Sequence, residues 1–406
     1  MPSTGWRKRA RLNGRDPYME GEMMDWDALL ADCVRFAQRL VQTPSMPFAE
    51  RPLAELAAAE LRALGCDEVW LDAMGNVNGR LYGQDRSLPA LVLNSHTDHV
   101  DPGDLALWPT PPFAAEIVDG RIVGRGAADI KGPLAVQVYA LAGLIRHGER
   151  PRRDVVFSGV VQEEIGGAGA RFWVENLDYP VALVVLGEPS NNDIAVGHRG
   201  ILQMWLRLHG RSVHASVPEK GCNPNYKLAD FLQALQAHKD ELGRHPLLGP
   251  TTVAPTIVEV DTKSGNVTPA WARVLLDFRT AAESANSLQA FIHALVGDWP
   301  HDISSAWDAP DTPLPDSDET IYGFYTPPDS AVVTRAKAAI DAGMGRSADL
   351  FSYQFATDGR HFAPYGIPII GYSPAEEAQA HVAGESISIA KMDKALRGYV
   401  ALLRRF

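Results

Sequence analysis

The stretch Leu91-Val-Leu-Asn-Ser-His96-Thr-Asp98 joins a short apolar run to a histidine and an aspartate. A run of this length, ended by polar residues, reads as a buried strand. Two later segments share the form. Val155 to Val161 leads into Gln162-Glu163-Glu164-Ile-Gly-Gly, and Val181-Ala-Leu-Val-Val-Leu186 leads into Gly187-Glu188-Pro-Ser. A helical stretch from Pro133 to about His147 lies between them, and Pro133 suits a first helical turn. Strands alternating with helices predict an α/β domain on a mixed, largely parallel sheet. In such sheets ligands gather beyond the carboxyl ends of the strands, where His96, Glu163, Glu164 and Glu188 all fall.

Outward from this core, apolar residues recur at helical spacing through Leu29, Leu30, Cys33, Phe36 and Leu40, and through Leu53, Leu56, Ala57, Leu61 and Leu64 before Gly65. From about Ile194 to Trp307 the pattern changes. Strand-like Ile201 to Leu208, a helix near Lys227 to Leu242, strand-like Arg273 to Phe278 and a helix near Leu288 to Val296 predict a smaller α+β domain. It would be inserted, as 194–307, into a catalytic domain made of 25–193 and 308–406. Asp308 to Asp329, rich in Pro, Asp and Thr, is expected to be loop or linker. Ile389, Met392, Leu396, Val400 and Leu403 mark an amphipathic C-terminal helix. The polar stretch Met1 to about Gly21 has no such periodicity, so residues 1–24 are expected to be a disordered extension, with Met23 or Met24 the native start.

Composition narrows the function. At 406 residues the chain exceeds the size at which one core usually stops growing, so two domains are the natural expectation. Hydrophobic residues at 46% and charged residues at 22% are ordinary globular usage. A net charge of −12 without a long basic stripe argues against a nucleic-acid partner. Cys33, Cys66 and Cys222 are odd in number and lack CxxC spacing, which points away from disulfides and thiolate zinc sites. No apolar run approaches the roughly 20 residues that span a bilayer. No apolar stretch follows Arg7, Lys8, Arg9 and Arg11 as a secretory signal requires, so a cytoplasmic address is expected.

The polar ends of the strands carry metal-site chemistry. Asp98, two residues after His96, could hydrogen-bond the other ring nitrogen and fix its tautomer. Gly124-Arg-Gly-Ala-Ala-Asp129-Ile-Lys-Gly-Pro133 places a carboxylate in a glycine-rich loop ahead of a helix, where it could bridge two cations; no phosphate-loop pattern is present. Adjacent Glu163 and Glu164 repel unless one meets a cation and the other a proton or water, which suggests one ligand and one general base. Ala378-Gln-Ala-His381-Val-Ala-Gly-Glu adds a second histidine in a polar loop. Histidine, aspartate and glutamate without cysteine suit zinc, with cobalt or manganese as substitutes.

Each motif alone is common, but their order resembles the acetylornithine deacetylase, succinyl-diaminopimelate desuccinylase and glutamate carboxypeptidase family of two-metal amidohydrolases. The resemblance runs from about Asp25 to the C-terminus. It implies two divalent metal ions per subunit, with Asp129 bridging them, His96 and Glu188 on one ion, and Glu164 and His381 on the other. It also implies Glu163 as general base, Asp98 as orienter of His96, and the insert as a lid that pairs two subunits. Within the insert, Val196-Gly-His198-Arg199-Gly200, Val213-His214-Ala-Ser, Gly265-Asn266-Val-Thr-Pro and Asp277-Phe-Arg279 resemble substrate-side motifs. His214 would polarise the scissile carbonyl from across a homodimer, and Arg199, Asn266 and Arg279 would meet the substrate's carboxylate or acyl end. Phe355-Ala-Thr357-Asp358-Gly359-Arg360 is similar to the Gly-Thr-Ser-Asp-Gly-Arg stretch of the desuccinylases, with Phe355-Ala in place of Gly-Thr, and adds Arg360 to the substrate side.

The expected activity is therefore hydrolysis of an amide bond in a small carboxylate-bearing substrate, an N-acyl amino acid. A dipeptidase or carboxypeptidase would use the same site with another pocket. A dimeric binding protein that lost catalysis is the reading from another class, and the presence of all five ligand candidates and Glu163 weighs against it.

Overall fold

Three apolar runs become neighbouring parallel strands. In the computed structural model, which describes residues 24–406, Ala90–His96 lies between Val155–Val160 and Val181–Leu186, parallel to both. Ile369–Tyr372 extends this parallel group beyond Val181–Leu186. Antiparallel Val77–Leu81 and Glu68–Leu71 complete one edge. The sheet is thus mixed with a parallel centre, as the apolar runs predict. Its alternating side chains separate two cores. Leu91, Leu93, Phe157 and Val185 pack with the helices Trp26–Val41, Arg51–Leu64, Gly132–Arg146, Ala331–Met344 and Ile389–Arg405. Val92, Val156, Val184 and Leu186 face Trp173, Val174 and Phe362. Burial on both faces explains why these strands read as continuous apolar runs.

The second unit grows out of one long strand. Ile194–His209 enters the main sheet at its start, beside Ile369–Tyr372, Leu350–Tyr353 and Tyr322–Tyr325. From Gly200 onward it pairs instead with Trp271–Thr280, and from Met204 also with His301–Ser305. Thr252–Val260 forms the outer edge of this second layer. The helices Pro224–His238 and Ala285–Val296 cover one face through Phe231, Leu235, Leu288 and Ile292, packed on Met204, Leu206, Val274 and Leu276. Position 194, where the sequence pattern changes, is where this shared strand begins.

One local expectation needs correction, and two strands went unread. The stretch 308–329 is not only linker: Tyr322–Tyr325 adds a strand to the main sheet against Gly197–Arg199, and Leu314 is buried in the second unit's core. The Pro, Asp and Thr around these few apolar residues hid them. The strands Thr252–Val260 and His301–Ser305 were also not legible. The first is an edge with most of its side chains exposed, so it lacks the apolar alternation of a half-buried strand. Of the expected extension 1–24, residues 1–23, and with them a start at Met23, lie outside the described residues. Among the described residues no helix is long and apolar enough to cross a membrane.

Gly371 shows how tightly the sheet backs the polar end of its strands. A Cβ there would lie 1.9 Å from the hydroxyl of Tyr353, which donates to the Glu188 carbonyl at 3.1 Å. Gly371→Ala should therefore cost about 1–3 kcal/mol, the usual range for overpacking, read as a lower midpoint in urea unfolding. An unchanged midpoint would show that Tyr353 moves aside freely.

Candidate metal centre

Parallel register brings the polar strand ends to one place. His96 pairs with Val160, and Asn94 with Leu186, so the residues that follow each strand emerge side by side. Glu163 and Glu164 follow in a short turn whose backbone is held by Asp98. The two Asp98 carboxylate oxygens accept from the amides of Glu163 and Glu164, each at 3.1 Å. Asp98 also serves His96, chiefly through its backbone: His96 Nδ1 lies 3.0 Å from the Asp98 carbonyl and 3.4 Å from its carboxylate. A carbonyl can only accept, so Nδ1 carries the proton and Nε2 presents its lone pair.

That lone pair faces Asp129. His96 Nε2 is 3.1 Å from Asp129 Oδ1, while His381 Nε2 is 3.2 Å from Asp129 Oδ2 and 3.1 Å from Glu164 Oε2. The two oxygens of one carboxylate thus address two different imidazoles. Acceptors pressed together this way repel unless an electrophile lies between them. His96, Asp129 and Glu164 offer ligand atoms within 4.8 Å of one another, and so do His96, Glu163 and Glu188. All five ligand candidates therefore converge. Distance alone does not separate ligand from base within the Glu163–Glu164 pair: Glu164 contacts His381, while Glu163 turns toward His96 and Glu188.

Charge in the cluster is lopsided. Asp98, Asp129, Glu163, Glu164, Glu188 and Asp358 lie close enough to influence one another, against fewer cationic groups, among them His96, His381, Arg360 and, beside Asp98, Lys131. Burial, reinforced by Asp358 and Glu188, pushes Glu163 well above the ordinary carboxyl range. Burial raises Glu188 likewise. Burial also opposes ionisation of Asp129, but the facing imidazoles of His381 and His96 outweigh it and hold Asp129 below the ordinary range. Hydrogen bonds to Asp129 and Glu164 push His381 up to about 10. A largely buried, oxygen-rich site, with His96 buried and His381 at its exposed side, and surplus negative charge fits divalent cations.

The substrate-side candidates fall into two groups. Arg199 donates to Pro250 O and Thr252 Oγ1, and Arg279 Nε is held at 2.8 Å by Asp277. Arg360 Nε reaches His361 Nε2 at 3.3 Å. Burial lowers His198 to about 4, and the positive charges of Arg360 and Arg279 contribute, so these guanidinium groups surround the shared strand. Burial and nearby Arg279 also lower Arg199. The second group lies apart: His214 and Asn266 sit on facing loops of the insert, tied by Ala215 N to Asn266 O at 2.8 Å. The hydrogen bonds of His214 go to Ser216, not to the carboxylate cluster.

Two residues with a place in the site lie in the quoted stretches but were given no role from the sequence. Asp358 is buried, and neither carboxylate oxygen has a hydrogen-bond partner; burial, against the pull of Arg360, pushes it up to about 7. Its Oδ1 packs on Gly167, where a Cβ would come within 2.2 Å. Glu385 is fully buried and accepts from the loop that carries Asp129. Only the fold reveals that it reaches a segment 256 residues away.

Comparison with known proteins agrees with this geometry. Residues 92–405 match the model of peptidase family M20/M25/M40. The chain is 29% identical over 388 residues to a succinyl-diaminopimelate desuccinylase of Alkalilimnicola ehrlichii, covering 93% of this chain and 99% of that one. Among solved structures, aminopeptidase PepT of Bacillus cereus superposes with a TM-score of 0.73 at 22% identity, covering 94% of this chain and 98% of that one. The YXEP protein of Bacillus subtilis, a dinuclear metal binding peptidase from the M20 family, superposes with a TM-score of 0.64 at 17% identity, covering 93% and 98%. A match that takes in most of the chain, from the strand bearing His96 through His381 to the last helix, shows that this protein belongs to peptidase family M20/M25/M40, as a metal-dependent hydrolase of amide bonds.

Proposed function

We propose that the protein hydrolyses the amide bond of an N-acyl amino acid in the cytoplasm, with two zinc ions held by His96, Glu188, Glu164, His381 and a shared Asp129. The observation that supports this best is the facing of two imidazole nitrogens to opposite oxygens of Asp129. Divalent cations in such a site supply Lewis acidity that brings the pKa of a water from about 15.7 toward about 7. Glu163, turned toward His96 and Glu188 and reluctant to ionise, is suited to take a proton from water and pass it to the departing amine. Asp98 keeps the Glu163–Glu164 turn in place through its two backbone contacts. Arg199, Arg279 and Arg360 provide fork-shaped donors for a substrate carboxylate.

The desuccinylase relative favours an acylated amino acid, while the aminopeptidase neighbour supports a second reading, a dipeptidase or carboxypeptidase with the same centre. Protein stripped with a chelator and reloaded with zinc, assayed on N-succinyl and N-acetyl amino acids beside dipeptides, decides between them. Turnover of the acyl amino acids alone is expected; turnover of dipeptides alone would favour the second reading, and full activity without metal would end both. Glu163→Ala should keep both metals and lose about 10²–10⁴-fold in rate, whereas Glu164→Ala should also lose metal. The reverse pattern by elemental analysis would exchange the two roles.

We place His214 and Asn266 at the site of a second subunit, with the insert 194–307 as the lid and pairing unit. Ser216 N donates to His214 Nδ1, which leaves Nε2 to carry the proton and to donate to a developing oxyanion. The outer strand Thr252–Val260 exposes Ile257, Val258 and Val260 along an edge suited to a second copy. Glu163→Ala and His214→Ala homodimers should each be nearly inactive. Refolded together at equal ratio, about half the dimers are mixed, and one of the two sites in each is then free of both lesions, so about a quarter of wild-type activity should return. No recovery, in a mixture shown by mass spectrometry to contain mixed dimers, would place His214 in its own subunit's site.

A further inference from the structure

Glu385 stands four residues beyond His381, is fully buried, and spends its whole carboxylate on one loop. Oε1 accepts from the amides of Ala128 and Asp129 at 2.8 and 2.9 Å. Oε2 accepts from the Gly126 amide at 3.0 Å and from Arg125 Nη1 at 2.7 Å. Its own carbonyl accepts from the Gly124 amide at 2.9 Å. The loop has no regular helical pattern at this point: Gly126 is left-handed, with φ +80°, and Asp129 and Ile130 lie outside helical φ/ψ. The amides of Gly126, Ala128 and Asp129 therefore find their acceptor in Glu385, while those of Ala127 and Lys131 bond within the loop.

We infer that Glu385 is the positioning residue for the metal-bridging carboxylate, clamping the Asp129 loop to the segment that delivers His381 so that both ions' ligands are set by one buried group. This rests on the two-metal reading above. The clamp needs a carboxylate. Each oxygen faces two N–H donors, and a glutamine could accept at one end only, setting its own NH2 against donors at the other. The nearby tie from Arg121 to Ser386 and Glu376 docks the same segment on the strand Arg121–Val123 without touching the Asp129 loop. It therefore serves as a control for docking alone.

The test measures zinc affinity of chelator-stripped protein by competition with a chromophoric chelator, with the visible spectrum of the cobalt-loaded protein as a second readout. Glu385→Gln should bind both ions about 10–100-fold more weakly, the usual cost of losing a ligand's supporting partner, and should alter the cobalt bands. Arg125→Met, which removes one donor of four, should show a smaller loss in the same direction and keeps the test open should Glu385→Gln not fold. Arg121→Ala should lower the thermal midpoint of the metal-free protein while leaving zinc affinity within about twofold. Wild-type zinc affinity in either folded clamp variant, or an equal loss in Arg121→Ala, would overturn the inference. A wild-type protein that takes up no zinc would instead overturn the two-metal reading, and the inference with it.

Discussion

The structure turns on a conflict between like groups. Two imidazole nitrogens and several carboxylate oxygens crowd together at about 3.1 Å, close enough that electron pairs oppose one another unless positive charge sits between them. A dry environment makes that repulsion costly, because burial alone already drives Glu163 and Glu188 toward the neutral form. Divalent cations resolve the conflict where protons cannot, since His381 Nε2 faces three carboxylate oxygens with one hydrogen to share.

Much of the remaining fold holds this arrangement against its own repulsion. Parallel strands put His96, the Glu163–Glu164 turn and Glu188 at adjacent ends, and apolar packing on both faces fixes their register. Where backbone leaves the sheet, buried carboxylates take over: Asp98 clamps the Glu163–Glu164 turn, and Glu385 the Asp129 loop. Tyr353 and Ser373 fix the Glu188 carbonyl from behind. Stability and function are thus coupled through hydrogen bonds to backbone more than through contacts between the ligands themselves.

The sheet and the metal candidates were legible because they coincide in sequence. Each central strand is a continuous apolar run, and each ends in its chemical group, so Leu91 to Asp98 carries both signals at once. The strand Tyr322–Tyr325 and the edge Thr252–Val260 were not legible, because their pairing partner is the long shared strand or its neighbour, the first is a short apolar stretch amid Pro, Asp and Thr, and the second is largely exposed. Glu385 and Asp358 lay in quoted stretches, but their roles were hidden for another reason. A carboxylate whose partners lie far along the chain has no spacing to betray it, and only folding shows which loop it meets. The Asp98 side chain was read as a support for His96; its carboxylate lies 3.4 Å from His96 Nδ1, but its backbone carbonyl is nearer at 3.0 Å, and the carboxylate also holds the neighbouring turn.

The central claim is that one carboxylate, Asp129, is shared by two ions. Anomalous diffraction at the zinc edge from crystals of the zinc-loaded protein tests it directly. Two peaks should appear on either side of that carboxylate, one beside His96 and Glu188 and the other beside Glu164 and His381. A single peak, or zinc bound away from Asp129, would contradict the account.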